Sequence, residues 1–171
     1  MSVVVMGVSG CGKSTVAIGL AAEIGGVYID ADDLHPASNV AKMAAGIPLT
    51  DEDRMPWLAL VAAAIAAETA AGRLAVVACS ALRRRYRDVL REAGGDVFFV
   101  HLDGPPELLA ARMSTREEHF MPPALLASQL ATLEPLEADE HGTVVSIDAP
   151  VEHIVAEARN RWADAAKSDI L

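Results

Sequence analysis

Residues 3–14 read "VVVMGVSGCGKS", an apolar run leading directly into the pattern G-x-x-x-x-G-K-S, with Gly7, Gly12, Lys13 and Ser14 in its defining places. Val16, Leu20 and Ile24 then recur every four residues, and the periodicity stops at Gly25-Gly26, which predicts a helix starting at the end of the glycine-rich loop. Strand, glycine turn and helix in that order leave few folds open. Glycines accept φ > 0 and let the backbone approach a ligand, so successive N–H groups point at one anion, and the helix adds the positive end of its dipole. Lys13 is placed to reach the β and γ phosphates of a nucleotide, and the Ser14 hydroxyl to ligate Mg²⁺. The dinucleotide pattern G-x-G-x-x-G is absent, so a nicotinamide or flavin has little support.

Further apolar runs at 27–29, 74–78, 97–102 and 143–147 alternate with helical stretches at 39–45, 56–71, 83–93, 106–113, 123–133 and 151–166. The runs lack polar alternation, as parallel strands covered on both faces do. The expectation is an α/β fold, a five-stranded parallel sheet flanked by helices, in a single domain over 1–171. Two segments are longer than a crossover needs. Residues 31–72 are expected to form a substrate-binding helical insertion, and residues 112–123, with "STREEHFMPP", a mobile lid.

A formal charge of −10 argues against nucleic-acid or anionic membrane partners, so an anionic ligand must be met by local cations. The longest apolar run, 57–67, is too short to span a bilayer and ends at Glu68. With no leader-like segment at the start, a cytoplasmic location is expected. Cys11 and Cys79 are too few for a disulfide framework and lack metal-ligand spacing. Two free thiols in a reducing compartment are expected, and Cys11, beside a helix N-terminus and Lys13 that could lower its pKa, offers an oxidation-sensitive thiol as the lesser alternative.

After residues 27–29 comes "DADDLHP", placing Asp30, Asp32 and Asp33 at a strand's carboxyl end, where open α/β sheets bind ligands. Moving a phosphoryl group to an alcohol benefits from a carboxylate that orients the hydroxyl and takes its proton. Asp32 is the candidate, and Asp30, nearer the loop, orients Mg²⁺ waters, although the two roles are interchangeable at this stage. Capping and turn formation compete for these aspartates, for Asp33 above all. The third run ends in Cys79-Ser80, without an acid in the usual metal-bracing place, which strengthens the part of Asp30. Cations are bunched at Arg54, at Arg83-Arg84-Arg85 with Arg87, and at Arg112 and Arg116. The last two lie four apart and share a helix face, so both can turn to the phosphates when a lid closes. Arg84 and Arg85 are more simply solvated surface. His35 and His119 suit packing or substrate contact equally.

Together with the phosphate loop, "DADDLHP", "NVAKMAAGIPLTDEDRMPWL", "CSALRRRYRDVLR" and "HFMPPALLASQLATLE" resemble the gluconate kinases, ATP-dependent enzymes that make 6-phosphogluconate, over residues 3–147. The resemblance implies the adenylate-kinase and shikimate-kinase type of P-loop fold, Mg²⁺ and ATP as donor, D-gluconate as acceptor, and a homodimer. It places Gly10, Gly12, Lys13, Ser14 and Thr15 on phosphate-binding positions, in a loop with Gly7 and Cys11. Asp32 falls on the base. His35, Lys42, Arg54, Ser80, Arg83, Tyr86, Arg87, His119 and Gln129 fall around the acceptor pocket, and Arg112 and Arg116 on the lid. The acceptor is a polyhydroxylated anion, so Arg54 or Arg87 would meet its carboxylate, and His35, Ser80 and Gln129 its hydroxyls. Three positions depart from the family: Ala31 and Glu118 stand where glycine is common, and Arg83 where lysine is frequent. Arg83 keeps the charge on a wider, planar head.

Two rivals remain at the level of sequence. A shikimate or nucleoside-monophosphate acceptor would suit the fold, but a base pocket wants rings and the chain is only 4% aromatic. A nucleotide-gated binding module would need no acceptor base, which Asp32 with Arg112 and Arg116 disfavours.

Overall fold

The computed structural model describes residues 1–114 and 123–168. Five strands, β1 (Ser2–Met6), β2 (Val27–Asp30), β3 (Ala75–Ala78), β4 (Val97–Asp103) and β5 (Gly142–Ser146), form one sheet in the order β2-β3-β1-β4-β5. Every pairing is parallel: Val4 of β1 lies opposite Val77 of β3 on one side and Phe99 of β4 on the other. The helices are α1 (Lys13–Ile24), α2 (Ala37–Ala44), α3 (Asp51–Ala70), α4 (Arg84–Gly94), α5 (Pro106–Ser114), α6 (Pro123–Thr132) and α7 (Val151–Ser168). The five strands and the helices between them are those expected, with ends shifted by a few residues.

Successive residues of β1 face opposite ways and both faces are covered, which explains the missing polar alternation. Val3 and Val5 join Val16 and Leu20 of α1 and Ile154 and Val155 of α7. Val4 and Met6 join Leu58, Val61 and Ile65 of α3 and Leu90 of α4. All ten are buried. The carboxyl ends of β1, β2 and β3 therefore open onto the edge where α1, α2 and α4 begin.

α3 starts five residues before the expected 56. Thr50 caps it: its Oγ1 accepts from the Asp53 N–H at 3.3 Å, and Asp53 Oδ2 accepts from the Thr50 N–H at 3.0 Å. This reciprocal pair satisfies two otherwise orphaned donors and sets the start, with Pro56 carried inside the helix on an exposed position. The expected insertion over 31–72 thus divides physically. Residues from Asp51 onward supply a core-facing crossover helix, and the added material is a 3-10 turn, Ala31–Leu34, followed by α2.

Candidate active site

The phosphate loop joins β1 to α1, and its Gly7 N–H donates to the Ser80 carbonyl just beyond β3 at 3.3 Å. Gly10 has φ of 84°, and a Cβ there would lie 2.7 Å from Met113 Cγ and 3.0 Å from the Leu109 carbonyl, so α5 packs directly on the loop. Gly12 caps α1 with φ of 93°, and among the described residues nothing lies within 4 Å of where its Cβ would be, so they leave the loop open on that side. Lys13 Nζ donates across the loop to the Val8 carbonyl at 3.1 Å. Ser14 and Thr15 are exposed at the first turn of α1.

Cys11 is a free thiol, and its surroundings go against the lesser alternative of an oxidation-sensitive one. Its side chain is 1% exposed, and burial pushes the thiol pKa up against the pull of Lys13 and Arg112. Any share Cys11 has in holding a nucleotide is limited to its backbone, because its sulfur faces Gly7 and the core. Iodoacetamide should therefore modify Cys11 in the native protein more slowly than it modifies a free peptide thiol; an equal or faster rate would contradict the burial.

At the end of β2 the three aspartates separate into roles. Asp30 is the cap: its Oδ1 accepts from the Asp32 N–H at 3.0 Å, starting the 3-10 turn, and its Oδ2 accepts from the Tyr28 hydroxyl at 3.1 Å. Asp32 is relieved of capping. Its side chain is 85% exposed, and His35 Nε2 lies 3.9 Å from its Oδ1. Partial desolvation at the strand end, and after it the charge of Asp30, raise its pKa above the ordinary 3.8, with Lys13 and His35 pulling the other way. Burial lowers the His35 pKa, with Arg54 acting in the same sense and Asp32 against it. The His35 ring stacks on Trp57 of α3 with centroids 4.1 Å apart.

A cationic cluster lies where the starts of α3 and α4 meet. The Tyr86 hydroxyl donates to Asp51 Oδ1 and accepts from Arg54 Nη1 at 3.3 Å. The Arg54 and Arg85 guanidinium carbons lie 5.7 and 5.6 Å from the Tyr86 ring centroid. Arg83 Nη1 is 3.5 Å from Asp51 Oδ2, and Arg85 also pairs with Asp51. Arg83 and Arg85 thus share the Asp51 carboxylate, and Arg54 reaches it through the Tyr86 hydroxyl, leaving positive charge in an otherwise acidic chain.

Other expected site residues are committed elsewhere. Arg87, expected at the acceptor, is 0% exposed, and its Nε and Nη2 pair with Glu140 at 2.6 and 2.8 Å. Its remaining bonds go to the carbonyls of Ala81, Leu82, Glu134 and Pro135. With its donors spent inside the protein, it is a structural residue. Lys42 donates to both Asp53 oxygens at 2.7 Å, tying α2 to the cap of α3. Gln129, expected on substrate hydroxyls, instead uses its Oε1 to accept from the Ser9 N–H at 2.6 Å, joining α6 to the phosphate loop. Arg112 Nη2 donates to the Ile147 carbonyl at 2.7 Å, on the part of α5 that flanks the loop. Ser80 is half-buried beyond β3. Arg116, Glu118 and His119 lie outside the described residues.

Asp51, Asn39 and Trp57 were not singled out in the sequence. Asp51 had a readable sign in "TDEDR", where a threonine followed three residues later by an acid marks a helix start rather than a loop. Asn39 and Trp57 carry no sign of their own, because their partners come from other elements.

The profile of a family described as an AAA domain matches residues 3–136. The gluconokinase of Gluconobacter oxydans (strain 621H) is 54% identical to this chain, the match covering 77% of this chain and 74% of the relative. Among solved structures, an unliganded sugar kinase from Janibacter sp. HTCC2649 is 53% identical with a TM-score of 0.89, covering 98% of this chain and 96% of the other. A gluconokinase from Sinorhizobium meliloti 1021 is 47% identical with a TM-score of 0.86, covering 98% and 94%. An open glycine loop after the central strand, a carboxylate clear of capping at the next strand and this likeness agree: the chain has the P-loop kinase fold and belongs to the gluconokinase family.

Proposed function

We propose that the protein transfers the γ-phosphoryl group of ATP to the primary hydroxyl of D-gluconate, giving 6-phospho-D-gluconate. The observation that carries the reading is Asp32, a carboxylate released from capping by Asp30, raised in pKa and within the electrostatic reach of Lys13. Asp32 orients the acceptor hydroxyl and takes its proton as the oxygen attacks phosphorus. The loop amides from Gly7 to Thr15 and the Lys13 ammonium hold the phosphates, with Arg112 of α5 beside the loop as a further cation; the assignment of Arg116 to the phosphates follows the family likeness alone.

Mg²⁺ fits the donors present. Among the described residues no group of three or more His, Cys, Asp or Glu side chains is gathered to hold a metal alone. Ser14 and Asp30 offer hard oxygens suited to an ion that keeps waters and phosphate oxygens as its other ligands. Bound there, Mg²⁺ would neutralise charge on the β and γ phosphates.

With Arg87 committed to Glu140, the acceptor carboxylate falls to the cluster around Tyr86, and first to Arg54, whose guanidinium is half-buried near His35. Arg54→Ala should raise KM for gluconate about tenfold to a hundredfold, the scale of a lost bond to a charged group, with KM for ATP little changed. An unchanged gluconate KM would move the carboxylate to Arg83 or Arg85. His35 and Ser80 serve the hydroxyls. Lys42 and Gln129 shape this pocket through Asp53 and Ser9, and the assignment of His119 to the acceptor follows the family likeness alone.

The remaining assignments follow the family likeness and composition: a homodimer in the cytoplasm, without nucleic-acid or membrane partners. Among the described residues no helix is long and apolar enough to cross a membrane. ADP formation measured against gluconate, other aldonates, shikimate and nucleoside monophosphates tests the reading. Turnover should be greatest with gluconate, and a preference for shikimate or a nucleotide would overturn it.

A further inference from the structure

Asn39 is 2% exposed on α2, four residues after His35. Its Nδ2 donates to the Asp53 backbone carbonyl at 2.9 Å and lies 3.2 Å from His35 Nδ1. A carbonyl can only accept, so the contact with Asp53 fixes which end of the amide is NH₂. The second N–H of that group faces His35 Nδ1, which must then present its lone pair. A neutral imidazole has one N–H, so the proton sits on Nε2, the nitrogen 3.9 Å from Asp32 Oδ1. Turning the ring over would abandon the Asn39 bond, and the ring is held flat against Trp57, whose Nε1 is anchored on the Ala31 carbonyl at 2.7 Å.

We propose that Asn39 is a positioning residue that locks His35 in the Nε2–H tautomer, so that His35 donates a hydrogen bond beside Asp32 and does not act as a second base. The division of labour rests on the kinase reading: Asp32 accepts the acceptor's proton while the His35 N–H holds the same or the neighbouring substrate oxygen. The tautomer itself rests only on the geometry. A doubly protonated ring would set an N–H at Nδ1 against the amide N–H, and the buried setting of His35 opposes the cation as well.

Long-range ¹H–¹⁵N spectra of the labelled wild-type protein, with the His35 signal assigned by its loss in His35→Gln, read the tautomer without any turnover. The expected pattern is a protonated Nε2 and a bare Nδ1. A protonated Nδ1 in the wild type overturns the proposal whether or not any variant folds. Asn39→Asp, which can only accept at that place, should shift the proton to Nδ1, and Asn39→Leu should give a mixture of tautomers. In both, kcat should fall about tenfold with KM for ATP unchanged. An unaltered His35 pattern in both variants would show that Asn39 does not set it, and normal kcat with an altered pattern would remove the catalytic part of the proposal. If the wild-type tautomer is as expected but gluconate is not phosphorylated, the activity reading fails and the lock stands.

Discussion

Asp32→Asn should lower kcat by about 10²-fold or more, the scale of a lost general base, with the fold unchanged. The side chain is exposed and caps nothing, so the amide costs the structure little. What it removes is the proton acceptor. A loss confined to KM for gluconate would assign Asp32 to binding alone. The same carboxylate sets a pH dependence whose sign is fixed: protonated Asp32 cannot accept a proton, so kcat falls as pH drops through its pKa. Because that pKa is raised, the acid limb should inflect above the ordinary 3.8. The limb should vanish in Asp32→Asn, and persistence of the same limb in that variant would place the titrating group elsewhere.

Arg87→Met should destabilise the protein by about 3–5 kcal/mol, the cost of leaving one member of a buried pair uncompensated. The Glu140 side chain is 1% exposed. Burial alone would raise its pKa, but Arg87 and the Glu137 N–H overcome this and hold it below the ordinary 4.5. Its contribution is therefore full above that value and is lost as pH falls through the depressed one. Glu140→Gln should cost less than Arg87→Met, since the guanidinium would keep its four carbonyls. Two of those belong to Ala81 and Leu82, and Ala81 sits at φ of 43°, a left-handed conformation unfavourable for a residue with a side chain. The buried pair thus holds the turn that carries Ser80 and Arg83 into the site. Chemical denaturation would measure the loss, and equal stability of Arg87→Met and wild type would show that the pair contributes nothing net.

What could be read from the sequence was what local spacing determines. The phosphate loop, the five strands and α1 follow from residues adjacent in the chain, each pattern having one physical solution. Residues whose roles depend on distant partners could not be read this way. Arg54 and Arg87 are equally plausible cations on paper; only the arrival of Glu140, 53 residues on, buries one and leaves the other toward the site. Gln129 meets the Ser9 N–H across 120 residues. Asp30 and Asp32 were interchangeable until the 3-10 turn showed which one caps.

The most direct test of the phosphoryl-transfer chemistry is the position of the new phosphate. Purified protein, Mg²⁺, ATP and D-gluconate should give a product whose ³¹P signal is coupled to the two C6 protons, with one ADP formed per phosphate ester. Phosphate on another carbon, or ADP released with inorganic phosphate alone, would contradict a carboxylate at Asp32 directing the primary hydroxyl to the nucleotide.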